Sequence, residues 1–509
     1  MPLLLGLDIG TTSTIGILID GEGRTLATAS RPSELSSPKA GWAEEDAEAW
    51  WGNCCAIIPE LLKKTGARPS EIAAIGATGM VPAVLLLDEV GNPLRPAMLQ
   101  NDARATTEIA AMARQFGAAD FFNRTGGSIN QQLVAPKLRW VAAHEPNVFR
   151  RVASVCGSYD FIVRRLTGQG SLEQNWALES GFMDFASGSL DPELIAAGGV
   201  LPSQLEPLRQ PHHIVGRVTA TAAAASGLAA GTLVVAGCAD HVVSAFVAGA
   251  ANNGDLVLKF GGAGDILLST STPLTDPRLF IDYHIIPGLY FSNGCMAASG
   301  SLLNWIVKQF AAGELPNAKA ASLSIHAWLD RLAADVPAGA EGLVLLPYVL
   351  GEKTPLHDPY ARGTLIGFGL NHTVAHLWRA ALEGVIFGFR HHTEIFAERG
   401  AAVTRVLACD GGAASDLWLQ IAADAMGHPV QRVANHPGSS LGAAYVAGVG
   451  VGVFKDYSGI SKYVSGGRIF EPNPRIKPVY DRTYANFREL YVRLQTLYPK
   501  LDPAATEAA

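Results

Sequence analysis

Charge is scarce in this sequence. Asp, Glu, Lys and Arg make up 17% of it, against 48% hydrophobic residues. Such a chain buries enough apolar surface to fold, which excludes a disordered class. A basic excess is also missing. There are 39 Lys and Arg against 46 Asp and Glu, for a net charge of −7 and a pI near 6.0. No basic face is available for nucleic acid. Cysteine is sparse, at six residues, and no Cys-x-x-Cys pair occurs. A zinc knuckle and a dithiol redox motif are thereby excluded, and free thiols in a reducing compartment are expected. No long hydrophobic run is uninterrupted: the stretch from Ala230 to Ala251 carries Asp240 and His241 at its centre. A charge there makes a poor membrane span. The N-terminus has no basic region or small-residue cleavage site, and Asp8 breaks its apolar run, so a signal peptide is not expected. No Gly-x-x-x-x-Gly-Lys-Ser/Thr run and no Gly-x-Gly-x-x-Gly opening a helix occur, so neither a P-loop nor a dinucleotide fold is indicated. The expectation is a soluble cytoplasmic protein that binds neither nucleic acid nor membrane.

What is present is a pattern. At 509 residues the chain exceeds one core and should divide into two or three domains. Leu3 to Asp8, Thr14 to Asp20 and Thr25 to Ser30 read as a three-strand meander. "WAEEDAEAWWGNCCAIIPELLKK" reads as a helix with acidic residues in its first turn and Lys63 and Lys64 at its end. "IAAIGATG" and "PAVLLLD" follow as buried strands. This order implies an α/β architecture with a mixed sheet. Ala186 to Val215 reads as surface connection. "DLVLKFGGAGDILLSTSTP", Asp255 to Pro273, then repeats the opening plan of strand, Gly-rich turn and strand. A repeat halfway along suggests two domains sharing one core, although strand-Gly-strand hairpins also recur by chance. A third loop runs from the strand at Val406 to Cys409 through Asp410-Gly411-Gly412 into a helix with Leu417, Ile421 and Ala425 on one face. The last residues, "LDPAATEAA", should fray.

Singly, each loop is a tight turn. Together, two strand-turn-strand loops and a strand-Gly-helix loop are the parts of a nucleotide clamp, because glycines let backbone amides approach phosphate. Asp240 stands in a nearly uncharged run between a strand and a helix. It could cap that helix, or act as a general base toward an alcohol that attacks a phosphoryl group. The two roles are compatible.

Several segments resemble the FGGY carbohydrate kinases, which share the actin/hexokinase-type ribonuclease-H-like core. "GLDIGTTST" resembles that family's first phosphate loop, "GWAEEDAEAWW" its Trp-x-Glu-x-Asp segment, and "QNDAR" at 100–104 its sugar-contacting Asn-Asp. "GTLIGFGLNHTVAHLWRAALEGVIFGF" resembles its long C-terminal signature, and "GSSLGAAYVAG" its closing helix. The resemblance implies two ribonuclease-H-like domains with an interdomain cleft. The division is 1–244 for sugar and phosphate, 245–470 for ATP, and 471–509 for a C-terminal helix and tail. It implies an ATP- and Mg²⁺-dependent kinase acting on a small sugar or polyol, with xylulose the leading acceptor, and is compatible with a homodimer. Another pentulose, a tetritol or glycerol is the alternative acceptor, and a non-catalytic nucleotide-switched binding protein the alternative class. By the resemblance Asp240 is the catalytic base. Asp8, with Asp240, holds the metal, and Asp8, Thr11, Thr12 and Ser13 meet the phosphates. Gly261, Gly262, Gly411 and Gly412 cradle ATP from the second half, with Asp416 and Gln420 near the nucleoside. Met80, Gln100, Asn101, Asp102, Asp240 and His241 face the sugar.

The chain departs from the family pattern at four places. Met80-Val81-Pro82-Ala83 stands where xylulokinases show Gln-Met-His-Gly, and Gln100 replaces a tryptophan. The second loop reads Phe-Gly-Gly-Ala-Gly rather than Gly-Thr-Ser, and Val134 replaces a Ser, Thr or Pro. The pairs His212-His213 and His391-His392, and Trp50-Trp51, are read as structural, since adjacent helix residues do not face one site. Gly384 is read as a helix-packing position.

Overall fold

The computed structural model describes residues 1–39, 41–434, 436, 438–463 and 467–501. The chain forms two compact units. The first comprises Met1–Val247, Asp282–Gly288 and Pro437–Ile460; the second comprises Ala248–Ile281, Leu289–His436 and Ser461–Ala509. The linear division expected above therefore needs correcting, because two later segments return to the first unit.

In the first unit the meander is β1 (Leu3–Ile9), β2 (Ser13–Asp20) and β3 (Thr25–Pro32). Helix α1 (Ala47–Thr65) leads to β4 (Ile72–Gly79), which pairs parallel with β1. Strands β5 (Ile214–Arg217) and β6 (Leu233–Val235) complete the order β5-β6-β4-β1-β2-β3. Helix α1 starts later than its acidic run suggests. Asp46 caps it by accepting the Glu48 amide at 2.9 Å, so Glu44 and Glu45 fall outside, in a short strand paired with Ala97–Met98. Glycine decides the packing of the sheet. A Cβ on Gly6 would lie 1.9 Å from the Ser440 carbonyl oxygen, and one on Gly76 would lie 2.1 Å from that of Ala443. The Ser439–Gly450 helix, rich in Gly and Ala, rests directly on those bare positions. On β2, Gly16 leaves room for Ile57 of α1 in the same way.

Two further expectations are adjusted. Leu85–Leu87 is buried as expected, but it pairs with Ser154–Cys156 and not with the main sheet. Within 186–215 lies a short helix, Pro192–Ala197, capped by Asp191, with Leu194 and Ile195 buried. It is core as well as connection.

The second unit repeats the plan. Strands β7 (Asp255–Phe260) and β8 (Gly264–Thr270) form an antiparallel hairpin, and β9 (Tyr290–Met296) joins β8. After helices α2 (Gly300–Phe310) and α3 (Val374–Glu398), β10 (Arg405–Cys409) pairs parallel with β7. Helix α4 (Asp416–Met426) then leads to β11 (Val430–Arg432), parallel to β10. The order β9-β8-β7-β10-β11 matches β3-β2-β1-β4-β6 of the first unit strand for strand. Gly384 on α3 is a close-packing position: a Cβ there would lie 2.4 Å from the Leu345 carbonyl oxygen. The Lys477–Leu494 helix is part of this unit's core through Tyr480, Tyr484 and Phe487. Beyond Leu501 the tail lies outside the described residues. Among those described, no helix is long and apolar enough to cross a membrane.

Candidate active site

Each unit places its chemistry at the hairpin turn and at the helix that follows a parallel strand. In the first unit Asp8 is the last residue but one of β1, opposite Ile15 of β2 and Thr78 of β4. The turn closes through the Gly10 amide to the Ser13 carbonyl at 3.1 Å. Thr11 and Ser13 are half-buried and Thr12 is exposed. One carboxylate followed by three hydroxyls is an oxygen-only donor set, which suits a hard divalent cation and phosphate oxygens. Met80 is buried. Its amide donates to the Ile9 carbonyl, its carbonyl accepts from Ser158 Oγ at 3.0 Å, and its sulfur lies 3.8 Å from Thr11 Oγ1. It lies beside the Gly10–Ser13 turn.

Cys238–Ala239 pairs with Thr78 and Gly79, which delivers the helix Asp240–Val247 to the same end of the sheet. Asp240 is its first residue. The His241 amide donates to Asp240 Oδ1 at 2.6 Å. The Asp240 side chain is 34% exposed. The His241 ring links Asp240 to two further carboxylates that the sequence did not single out. Its Nδ1 lies 3.5 Å from Asp240 Oδ1, its Nε2 lies 3.0 Å from Asp282 Oδ2 and 3.8 Å from Glu179 Oε1. Burial opposes a charged imidazole, but Glu179 and Asp282 outweigh it and hold the His241 pKa well above its ordinary value. Burial, reinforced by Asp282, pushes the Glu179 carboxyl up.

The 99–104 loop is arranged differently from the expectation. Asp102 is buried, and its oxygens accept from the Ala43 amide at 2.7 Å and from the Arg104 guanidinium at 2.8 and 2.6 Å. Arg104 in turn lies 3.6 Å above the Trp42 ring. Asp102 is committed to holding its loop. Asn101 is the exposed member of the pair, and Gln100 Oε1 is sealed from solvent and, among the described residues, without a hydrogen bond. Lys137, also buried, donates to the Leu99 carbonyl at 2.7 Å, and burial pushes its pKa down to about 7.

In the second unit a cavity of about 540 Å³ is lined by Gly261, Gly262, Gly411 and Gly412 together with Trp378 and Trp418. The loop carbonyls are already engaged: the Gly300 amide donates to Gly261, and those of Ser299 and Ser301 to Gly262. A Cβ on Gly412 would lie 2.6 Å from the Trp418 ring and 2.8 Å from Phe260 Cβ, whereas one on Gly262 or Gly411 would meet nothing. Ser415 caps α4 by accepting the Trp418 amide at 3.0 Å. Flat apolar walls, small glycine edges and a few polar groups, among them Asn304 and Asp330, fit a nucleotide. Asp416 and Gln420 do not line this cavity. They border an adjoining hollow, with Asp416 paired to Arg432 and Arg468 and the Gln420 amide nitrogen donating to Asp424 Oδ1 and the Glu471 carbonyl at 2.9 Å. Their side chains are already engaged. The aromatic walls were missed in the sequence because Trp378 and Trp418 lie 40 residues apart on two helices, and only the fold joins them.

The chain was compared with known proteins. It matches the FGGY family of carbohydrate kinases, N-terminal domain, over residues 3–247 and C-terminal domain over residues 259–451. It is 29% identical over 500 residues to a xylulose kinase of Bacillus subtilis, covering 98% of both chains. It is 26% identical over 505 residues to a gluconokinase of Bacillus licheniformis, covering 98% of this chain and 97% of that one. Among solved structures, a xylulose kinase from Rhodospirillum rubrum is 48% identical with a TM-score of 0.91, over 97% of this chain and 99% of that chain. The chain is a sugar kinase and belongs to the FGGY family of carbohydrate kinases.

Proposed function

We propose that this kinase transfers phosphate from ATP to a hydroxyl of D-xylulose, giving D-xylulose 5-phosphate, with Asp240 as general base. The observation that carries the reading is the placement of Asp240. It heads a helix, is a third exposed, and has one oxygen fixed by the His241 amide. Fixing one oxygen aims the other, so proton removal needs no reorganisation of the base. The cavity of the second unit would take the nucleotide, its glycine amides meeting phosphate and its tryptophans the base. Asp8 would hold Mg²⁺, since Asp240 already uses one oxygen on His241 and needs the other for the acceptor. The ion, when bound, neutralises charge on the phosphates. Xylulose is favoured by the names of the Bacillus and Rhodospirillum relatives. Gln100 and the Met80–Ala83 segment support a tetritol or glycerol as second acceptor, because both change the polar groups expected near the sugar.

Substituting Asp240→Asn tests the base. Loss of a general base costs about 10²–10⁴-fold in turnover. We expect that loss in kcat, with unchanged melting temperature and ATP affinity. Turnover within a few-fold of wild type would overturn the assignment. A coupled ADP-release screen of pentuloses, tetritols and glycerol decides the acceptor.

A further inference from the structure

Glu179, His241 and Asp282 lie 41 to 103 residues apart in sequence and meet beside Asp240. One potential ligand atom from each falls within 4.8 Å of the others. Each is held by a separate device. Glu179 ends the Gln174–Glu179 helix, and His241 follows the base. The segment carrying Asp282 is anchored to that same helix by a two-way pair: Asn175 Nδ2 donates to the Tyr283 carbonyl and the Tyr283 amide to Asn175 Oδ1, both at 2.8 Å. The Tyr283 hydroxyl adds a bond to the Phe185 carbonyl at 2.8 Å. Such anchoring makes the cluster a built feature.

Its chemistry is one-sided. His241 Nε2 and Asp282 Oδ2, 3.0 Å apart, share a proton as a hydrogen bond. Glu179 Oε1 is 3.8 Å from that nitrogen, beyond hydrogen-bond reach. It is sealed from solvent and, among the described residues, accepts no hydrogen bond. A buried carboxylate oxygen in that state calls for a donor. The charges that act most on Glu179 are those of Asp282, His241, Asp240 and Glu173, three carboxylates and one imidazole. A neutral hydroxyl, which both donates and accepts, would satisfy Oε1 whether or not Glu179 carries its proton, whereas a substrate carboxylate would be repelled by the neighbouring Asp240 and Asp282 carboxylates. A divalent cation would also attract these groups, but the ring nitrogen it would need is engaged with Asp282.

We infer that Glu179, supported by His241 and Asp282, forms a hydroxyl-reading subsite beside Asp240 that selects neutral polyhydroxy acceptors and rejects aldonates. This rests on the reading of Asp240 as the base that receives the acceptor. It bears on a real choice, because kinases named for xylulose and for gluconate are both relatives of this chain.

The test uses the full-length protein without nucleotide, titrated calorimetrically with D-xylulose, xylitol and D-gluconate, alongside kinetics of wild type and Glu179→Gln. We expect gluconate to bind at least about 10-fold more weakly than the neutral compounds. We expect Glu179→Gln to weaken the neutral compounds about 10-fold, in KM more than in kcat, and to narrow the discrimination, with ATP affinity and melting temperature unchanged. Equal binding of gluconate by wild type, or a variant altered only in melting temperature, overturns the subsite. Micromolar Mn²⁺ binding without sugar, lost in Glu179→Gln, overturns it in favour of a metal. Neutral compounds that bind as expected but are never phosphorylated overturn the functional reading and leave the subsite standing.

Discussion

The two hairpins share a backbone plan but carry opposite chemistry. In the first unit β1 ends Asp8-Ile9, and Gly10, Thr11 and Thr12 lead to Ser13 at the start of β2. In the second, β7 ends Lys259-Phe260-Gly261 and the turn supplies Gly262 and Ala263. Counting back from the turn glycine, a carboxylate in one matches an ammonium in the other. Asp8 faces the aliphatic Ile15 across its hairpin, while Lys259 faces Asp265 and pairs with it at 3.5 Å. The topology is therefore a carrier, and the turn residues divide the labour. An anionic, hydroxyl-rich turn suits a cation and phosphate oxygens. A glycine turn whose carbonyls are tied back to α2 leaves backbone amides for an anion.

Glycine substitutions break the comparison most sharply, because similar residues do different work in the two units. Gly6→Ala would place a Cβ 1.9 Å from the Ser440 carbonyl oxygen, a backbone atom that cannot rotate away. We expect at least about 3 kcal/mol of destabilisation, at or above the upper range for overpacking. Gly262→Ala meets nothing within 4 Å, so its stability should stay within about 0.5 kcal/mol of wild type. Its cost should appear in nucleotide affinity alone. Denaturant titration checks both, and a Gly6→Ala protein of wild-type stability would refute the packing of the Ser439–Gly450 helix on β1.

A smaller effect separates the candidate sites of the two units. Gly412→Ala pushes a methyl against Trp418 and Phe260 at 2.6 and 2.8 Å, narrowing the cavity from its wall. We expect the ATP KM to rise about 10-fold, the cost of one or two displaced contacts, while sugar binding measured without nucleotide is unchanged. A parallel loss of sugar binding would mean that this cavity is not dedicated to the nucleotide.

Much of this was legible in the sequence, and the reason is local. Asp8 with its turn, the Asp255–Thr270 repeat and Asp410-Gly411-Gly412 are each contiguous, so spacing reveals them. Helix α1 was legible too, but Asp46 decided its start, since a capping side chain outranks an acidic run. What spacing could not reveal is assembled by the fold. Glu179 and Asp282 are single carboxylates in unremarkable segments, and nothing in "NWALESG" or "FIDYH" points toward His241. Asp102 shows a contact that spacing did not reveal. Its motif suggested sugar, but Arg104, two residues on and stacked on Trp42, engages both of its oxygens.

The finest contrast is in pH dependence, where each unit buries a carboxylate that is hydrogen-bonded yet, among the described residues, in no salt bridge. Glu173 in the first unit accepts from the Tyr159 hydroxyl at 2.9 Å and the Asn175 amide at 3.0 Å, and burial pushes it up to about 7. Glu352 in the second accepts the Ala297 and Lys353 amides at 2.7 and 2.8 Å, and burial pushes it up to about 8. Unfolded, each would release its proton near 4.5. Between that value and the folded one, the unfolded chain binds fewer protons, so stability falls as pH rises. The contribution is fully present below 4.5, is lost progressively, and levels off above about 7 for Glu173 and about 8 for Glu352. Calorimetric melting of wild type should decline by a few degrees from pH 5 to 8. Glu173→Gln should make the decline shallower below about 7 only, and Glu352→Gln should make it shallower from about 4.5 up to about 8, the part between 7 and 8 included. A melting temperature that rises over this range, or two variants with the same profile, would show that the two buried carboxylates do not set the pH response of their units.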